Sequence, residues 1–250
     1  MGNRAVAAEQ ALYLYGVSPA RARAGTKIGS PGIDGVHGVE PLSCGEFVCW
    51  ASAVDAASFG KALESNMENL DWLALHGVRH QQVVGEIAKQ ENIIPARFGT
   101  IFSGKDALRK DVEGRREMLK RVLAKIADAD EWGVKVYAEH KPAREAVAAS
   151  SGRDYLQQKA ARLKTRPERD DAELKEFASA LGEAAADSAP TGKISGAQPD
   201  LAWQATFLVP RKRRKEWDGV LKKFVERWSG ARRIEVNGPW PPYSFVSDAD

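Results

Sequence analysis

The chain has 250 residues, of which 43% are hydrophobic and 28% charged, with a net charge of +3. That composition supports packed cores rather than extensive disorder, the length suits two domains of ordinary size, and so small a net charge does not by itself imply a nucleic-acid partner. No apolar run approaches the roughly 20 residues that cross a bilayer, and the N-terminal MGNRAVAAEQALYLYG lacks the apolar core of a signal peptide, so a cytoplasmic location is expected.

ALYLYGV reads as the first strand, ending at Ser18-Pro19, and a Gly-, Pro- and Ser-rich loop follows from Arg21 to Gly38. A second strand is expected at Phe47–Val54. Cys44 and Cys49, five positions apart on one expected strand, fall on opposite faces, which makes them small half-buried hydrophobes rather than a disulfide pair. A helix then starts at Asn69 as its cap, with Leu70, Leu73, Gly77, His80, Val84 and Ile87 along one face. NIIPARFGTIF is strand-like, but Pro95 confines it to an edge, a bulge or a strand start. Leu108, Val112, Leu119, Val122 and Ile126 form the stripe of a second helix lying on a sheet.

EWGVKVYAE alternates as a strand, with Trp132, Val134, Val136 and Ala138 on one side. The Ala-, Glu- and Arg-rich stretch from Asp154 to Ala186 is expected to be helical, broken at Pro167, with Thr165 and Glu168 as a capping box for its second part. SAPTGKISGAQP reads as a linker and LAWQATFLV as a strand. Trp217, Val220, Leu221, Phe224, Val225 and Trp228 mark an amphipathic helix, and RRIEVNG is the last strand. The order predicts an α+β fold of two domains, residues 1–128 and 129–250, without an exact sequence repeat.

Motifs for catalysis fail one by one. GTIFSGKD, Gly99–Asp106, has the spacing of a phosphate loop, but Asp106 replaces the hydroxyl that would meet Mg²⁺, and Ile101 and Phe102 suit a strand better. His76 and His80 stand one helical turn apart without the Glu or third ligand of a zinc site. No nucleophile elbow or dinucleotide fingerprint appears, so no enzyme activity, metal or cofactor is expected. Between Arg211 and Arg233 there are ten Lys/Arg and three Asp/Glu, and the run Arg211–Lys215 leaves a nucleic-acid partner as an alternative. The aromatic strand signature of RNA-binding modules is absent, which makes that reading the weaker one.

LYLYGV, NLDWLALHGVRHQQVV, IIPARFGTIF, EWGVKVY, GRDYL and the terminal GPWPPYSFV occur in the order and spacing of the gas vesicle protein L/F family, which the chain resembles over nearly its whole length. The loop Arg21–Gly38 is the least family-like part. The resemblance implies two domains of ferredoxin-like character and a cytoplasmic accessory protein associated with gas vesicles. It further implies assembly of the vesicle wall by binding the small hydrophobic shell protein and other gas vesicle proteins, with no catalytic residue to carry over. In NGPWPPYSFV the prolines favour an extended, polyproline-like strap with Trp240 and Tyr243 on one side. Trp240, Tyr243 and Phe245, together with Arg213, are the candidate partner-binding or domain-junction residues. For the strap two readings stay open, a face folded onto the protein's own core and a face that meets the shell protein.

Overall fold

The computed structural model describes residues 10–21, 26–139, 171–190 and 200–246. Two compact units result, residues 1–128 with the segment from Trp240 onward, and residues 129–239. In the first unit β1 (Gln10–Pro19) lies between β3 (Phe47–Asp55) and the short strands β4 (Ile94–Pro95) and β5 (Ile101–Phe102), while β2 (Glu40–Cys44) forms the other edge. All these pairings are antiparallel. Pro95 is thus accommodated at an edge, as its missing amide requires.

The hairpin β2–β3 corrects the reading of the cysteines. Cys44 pairs with Phe47 across a turn at Gly45 and Glu46, and Gly45 has φ +65°. Glycine at the first central position is what a type II′ hairpin turn needs. Since Leu42 faces Cys49, Cys44 is the diagonal neighbour of Cys49 on the same face. The two thiols are hydrogen-bonded, both are buried and reduced, and burial pushes the Cys49 thiol up.

Helix α1 (Leu63–Met67) leads into α2 (Leu70–Ala88), which starts where expected: the Asn69 side chain accepts from the amides of Asp71 and Trp72. The buried residues of α2 are His76, His80, Val83, Val84 and Ile87, packed against Tyr13, Tyr15, Trp50 and Val54 of the sheet. Leu70 is 79% exposed, so the expected stripe is wrong at its N-terminal end. The loop between β1 and β2 packs beside α2. Its Ile33 is fully buried and donates to the Tyr15 hydroxyl, while Glu86 of α2 accepts from the amides of Gly29 and Ser30.

On the other side of the sheet the expected second helix is two, α3 (Lys105–Gly114) and α4 (Arg116–Lys125), divided at Arg115. Its stripe is as read: Leu108, Val112, Leu119, Val122 and Ile126 are all buried. Leu14 and Val17 of β1 line one small cavity with Arg115 and Leu119.

The second unit has the strand order β7 (Asp187–Pro190), β8 (Leu201–Pro210), β6 (Ala129–Ala138) and β9 (Arg232–Trp240). Helix α5, described over 171–184, and α6 (Arg214–Arg227) supply Phe177, Leu181, Trp217, Leu221 and Phe224 to a core with Val134, Val136, Phe207 and Val209. Ser188–Pro190, expected in a linker, belongs to β7 and pairs with β8. Val225, placed on the apolar stripe of α6, is half exposed. The Pro167 break and the Thr165–Glu168 capping box lie outside the described residues.

Numbered within each unit, both sheets have the order 2-3-1-4. Where the second unit connects its first two strands through α5, the first unit uses the loop anchored by Ile33. A repeat invisible in the sequence is therefore present in strand order.

Candidate functional site

β9 continues through Trp240, and Tyr243–Phe245 form a 3₁₀ turn, so the expected polyproline strap shrinks to Pro241 and Pro242 between two hydrogen-bonded elements. Pro239 lies near the end of β9, at the edge of the sheet order among the described residues, so the ladder loses little by its missing amide and the strand runs further than its composition suggests.

Tyr243 and Phe245 turn into the first unit. The Tyr243 hydroxyl lies 3.0 Å from His80 Nε2, and the Tyr13 hydroxyl lies 2.9 Å from His80 Nδ1. Tyr13 also accepts from the Gly99 amide at 3.1 Å, so that amide is committed to a protein hydroxyl. Tyr13 is fully buried, and its hydroxyl hydrogen needs an acceptor. Donation from Tyr13 to Nδ1 supplies one and leaves the proton on Nε2, directed at Tyr243. Burial holds the His80 imidazole down at about 4, against which the Ala96 carbonyl acts weakly. Burial also raises the Tyr13 hydroxyl, while the Tyr15 hydroxyl is pushed up to about 12. This is a neutral, tyrosine-clamped histidine. His76, the other half of the His76/His80 pair, is bonded through Nδ1 to the Trp72 carbonyl at 2.7 Å and stacks on the Trp72 ring.

Phe245 is 4% exposed, with Lys125 Nζ 5.7 Å from its ring centre. Trp240 is 52% exposed. Of the three aromatics, then, one presents a large surface outward. Arg213 belongs to the second unit, where it donates to the Glu183 and Ala185 carbonyls at the C-terminal end of α5 and pairs with Glu216. A cation at that end offsets the helix dipole. Two neighbours in the basic run are engaged as well: Arg211 pairs with Asp130, and Arg214 pairs with Asp218 while stacking 3.4 Å over Trp132.

Outside the terminal segment, α2 keeps an apolar strip on the surface. Leu70, Leu75 and Val78 are more than half exposed, Met67 precedes them at 40%, and Leu73, Ala74, Gly77 and Val78 line one shallow depression. A Cβ added at Gly77 would meet nothing within 4 Å, so the depression is open.

A family model described as gas vesicle synthesis protein GvpL/GvpF matches residues 11–247. The chain belongs to the GvpL/GvpF family. It is 33% identical over 245 residues to gas vesicle protein L of Streptomyces sp. (strain CB03234), covering 87% of this chain and 88% of that protein. Gas vesicle protein F of the same strain is 31% identical over 188 residues, 67% of this chain and 75% of the other. Crystal structures of GvpF from Anabaena sp. PCC7120 and from Microcystis aeruginosa share the fold. Their TM-scores are 0.66 and 0.65 at 16% and 18% identity, each over 95% of this chain and over 96% and 99% of theirs.

The role of this GvpL/GvpF chain is thus in gas vesicles. Among the described residues no helix is long and apolar enough to cross a membrane. Sequence reasoning passed over the exposed strip of α2. The signal was there: apolar residues at Leu70, Ala74, Leu75 and Val78 are too many for the single face that His76, His80, Val84 and Ile87 already fill.

Proposed function

We propose that the protein is a non-enzymatic accessory factor in gas vesicle assembly, working in the cytoplasm and on vesicles by binding the small hydrophobic shell protein and other gas vesicle proteins. One observation carries the reading: α2 leaves Leu70, Leu75 and Val78 exposed while its other face is buried against the sheet. Contiguous exposed apolar residues of this kind mark interaction surfaces. Ala74 and Gly77 between them allow close approach of a partner helix. A shell subunit with apolar surface needs cover before it is built into a wall, and an apolar strip on a rigid helix provides it. Trp240 is the second proposed contact. We read the second unit, with its split β-α-β pairing and the order β7-β8-β6-β9, as ferredoxin-like.

The test is retention of purified shell protein on the immobilised full chain at moderate salt. Retention is expected, with loss on Val78→Glu and partial loss on Trp240→Ala. If neither the shell protein nor any other gas vesicle protein is retained, the reading fails.

A further inference from the structure

The outer edge of β9 has a hydrogen-bonding phase and a charge pattern that fit one partner, the same strand of a second copy. The phase follows from three contacts with β6. The Glu139 amide donates to the Ala231 carbonyl at 3.0 Å, the Arg233 guanidinium lies 4.4 Å from the Tyr137 ring centre, and Asn237 closes over Gly133. These pairs fix one antiparallel register, in which Ala231, Arg233, Glu235 and Asn237 face β6 in turn. In an antiparallel ladder the residues bonded to one neighbour alternate with those whose amide and carbonyl point the other way. Ala231 is bonded to β6, so the main-chain groups of Ile234 and Val236 point to the outer edge, where β9 ends the sheet order among the described residues. The Arg232 amide, also in the outward phase, donates to the Trp228 carbonyl, which limits the pairing stretch to a few residues centred on Ile234.

Charge then selects the occupant. Arg233 and Glu235 flank Ile234 on the face away from the helices, half exposed and ion-paired with each other. Edge strands are commonly protected by charges that repel an incoming strand. Here the two signs are opposite and symmetric about Ile234. A two-fold axis at that residue places each Arg233 opposite Glu235 of the other copy, in the non-hydrogen-bonded position where side chains come closest. We infer that β9 is a homodimerisation edge: two copies join antiparallel, Ile234 to Ile234, exchanging two main-chain hydrogen bonds and two Arg233–Glu235 ion pairs across the axis.

So short an interface gives a weak association, to be read by sedimentation velocity of the full chain from about 1 µM to about 200 µM. The wild type shifts from monomer to dimer across that range. Glu235→Arg sets arginines opposite each other and weakens the dimer about tenfold or more. Ile234→Pro, which removes one of the outward amides at an edge that tolerates proline, acts in the same direction. The exchanged pair Arg233→Glu with Glu235→Arg restores dimerisation, because the two-fold complementarity returns with the signs reversed. Circular dichroism shows which variants are folded. Should a variant not fold, amide exchange of wild-type Ile234 and Val236 decides in its place: both slow with rising protein concentration if the edge pairs, and neither changes if it does not. A wild type that stays monomeric throughout overturns the assignment. So does a dimer indifferent to the β9 variants but lost on Val78→Glu, and so does a folded exchanged pair that remains monomeric.

Discussion

At the scale of the residue, His80 concentrates the most physical consequence. Its ring is buried and neutral between Tyr13 and Tyr243, with a folded-state value near 4 against 6.5 when free. The unfolded chain therefore binds a proton that the folded chain refuses throughout this interval. Stability from this residue is fully present above 6.5, falls as the pH drops toward 4, and then levels off. Between about pH 7 and about pH 5 the loss amounts to about 2 kcal/mol. Urea unfolding of the wild type and of His80→Gln at the two pH values should differ by that amount; parallel pH dependences would show that His80 is not buried neutral. Tyr243→Phe removes the partner of the Nε2 proton and should cost about 1–2 kcal/mol. Trp240→Ala, at a half-exposed position, should cost about 1 kcal/mol or less while weakening capture of the shell protein. A large loss of stability with binding intact would instead make Trp240 a core residue.

At the scale of the element, Gly77 separates the folding role of α2 from its proposed binding role. Glycine inside a helix carries an entropic cost, and the added methyl group would meet open space. Gly77→Ala should therefore raise stability by about 0.5–1 kcal/mol, measured by denaturant midpoint, and partly fill the depression that we propose receives a partner helix. Weaker capture by a more stable protein is the expected result, and unchanged capture would move the docking surface elsewhere. How far elements were legible follows the same physics. The stripe from Leu108 to Ile126 was readable because a single helix face is apolar there, even though the helix is interrupted at Arg115. α2 was misread because it has two apolar faces and periodicity cannot say which one meets the sheet. β2 and β7 were missed since EPLSC and DSAP are short edge strands with little β-branched content, held by their neighbours rather than by propensity. The Gly45–Glu46 turn could have disclosed the first of them. The clamp on His80 joins residues far apart in sequence, and nothing local announces that Tyr13, His80 and Tyr243 converge.

At the scale of the whole molecule, the first unit is discontinuous, since its last part is the segment from Trp240 onward, which follows the entire second unit in sequence. Phe245 and Val246, each 4% exposed, contribute to the first unit only after the chain has passed through β9. The two units should therefore respond differently to a change at the C-terminus. Phe245→Ala in the full chain removes a buried aromatic, which typically costs about 3–5 kcal/mol. That cost should fall on the unit in which the ring is packed. Amide exchange is expected to accelerate along α2 and β1 and to stay unchanged along α6 and β8, whose core of Phe177, Trp217 and Phe224 contains no residue of the terminal segment. Equal acceleration in both units would mean that they unfold as one cooperative body. Loss of protection in the second unit alone would mean that the terminal segment supports β9 rather than the clamp on His80. With the expected outcome, the terminal segment stabilises the unit that contains α2, while Trp240 and the strip from Leu70 to Val78 remain the surfaces that we propose for partners.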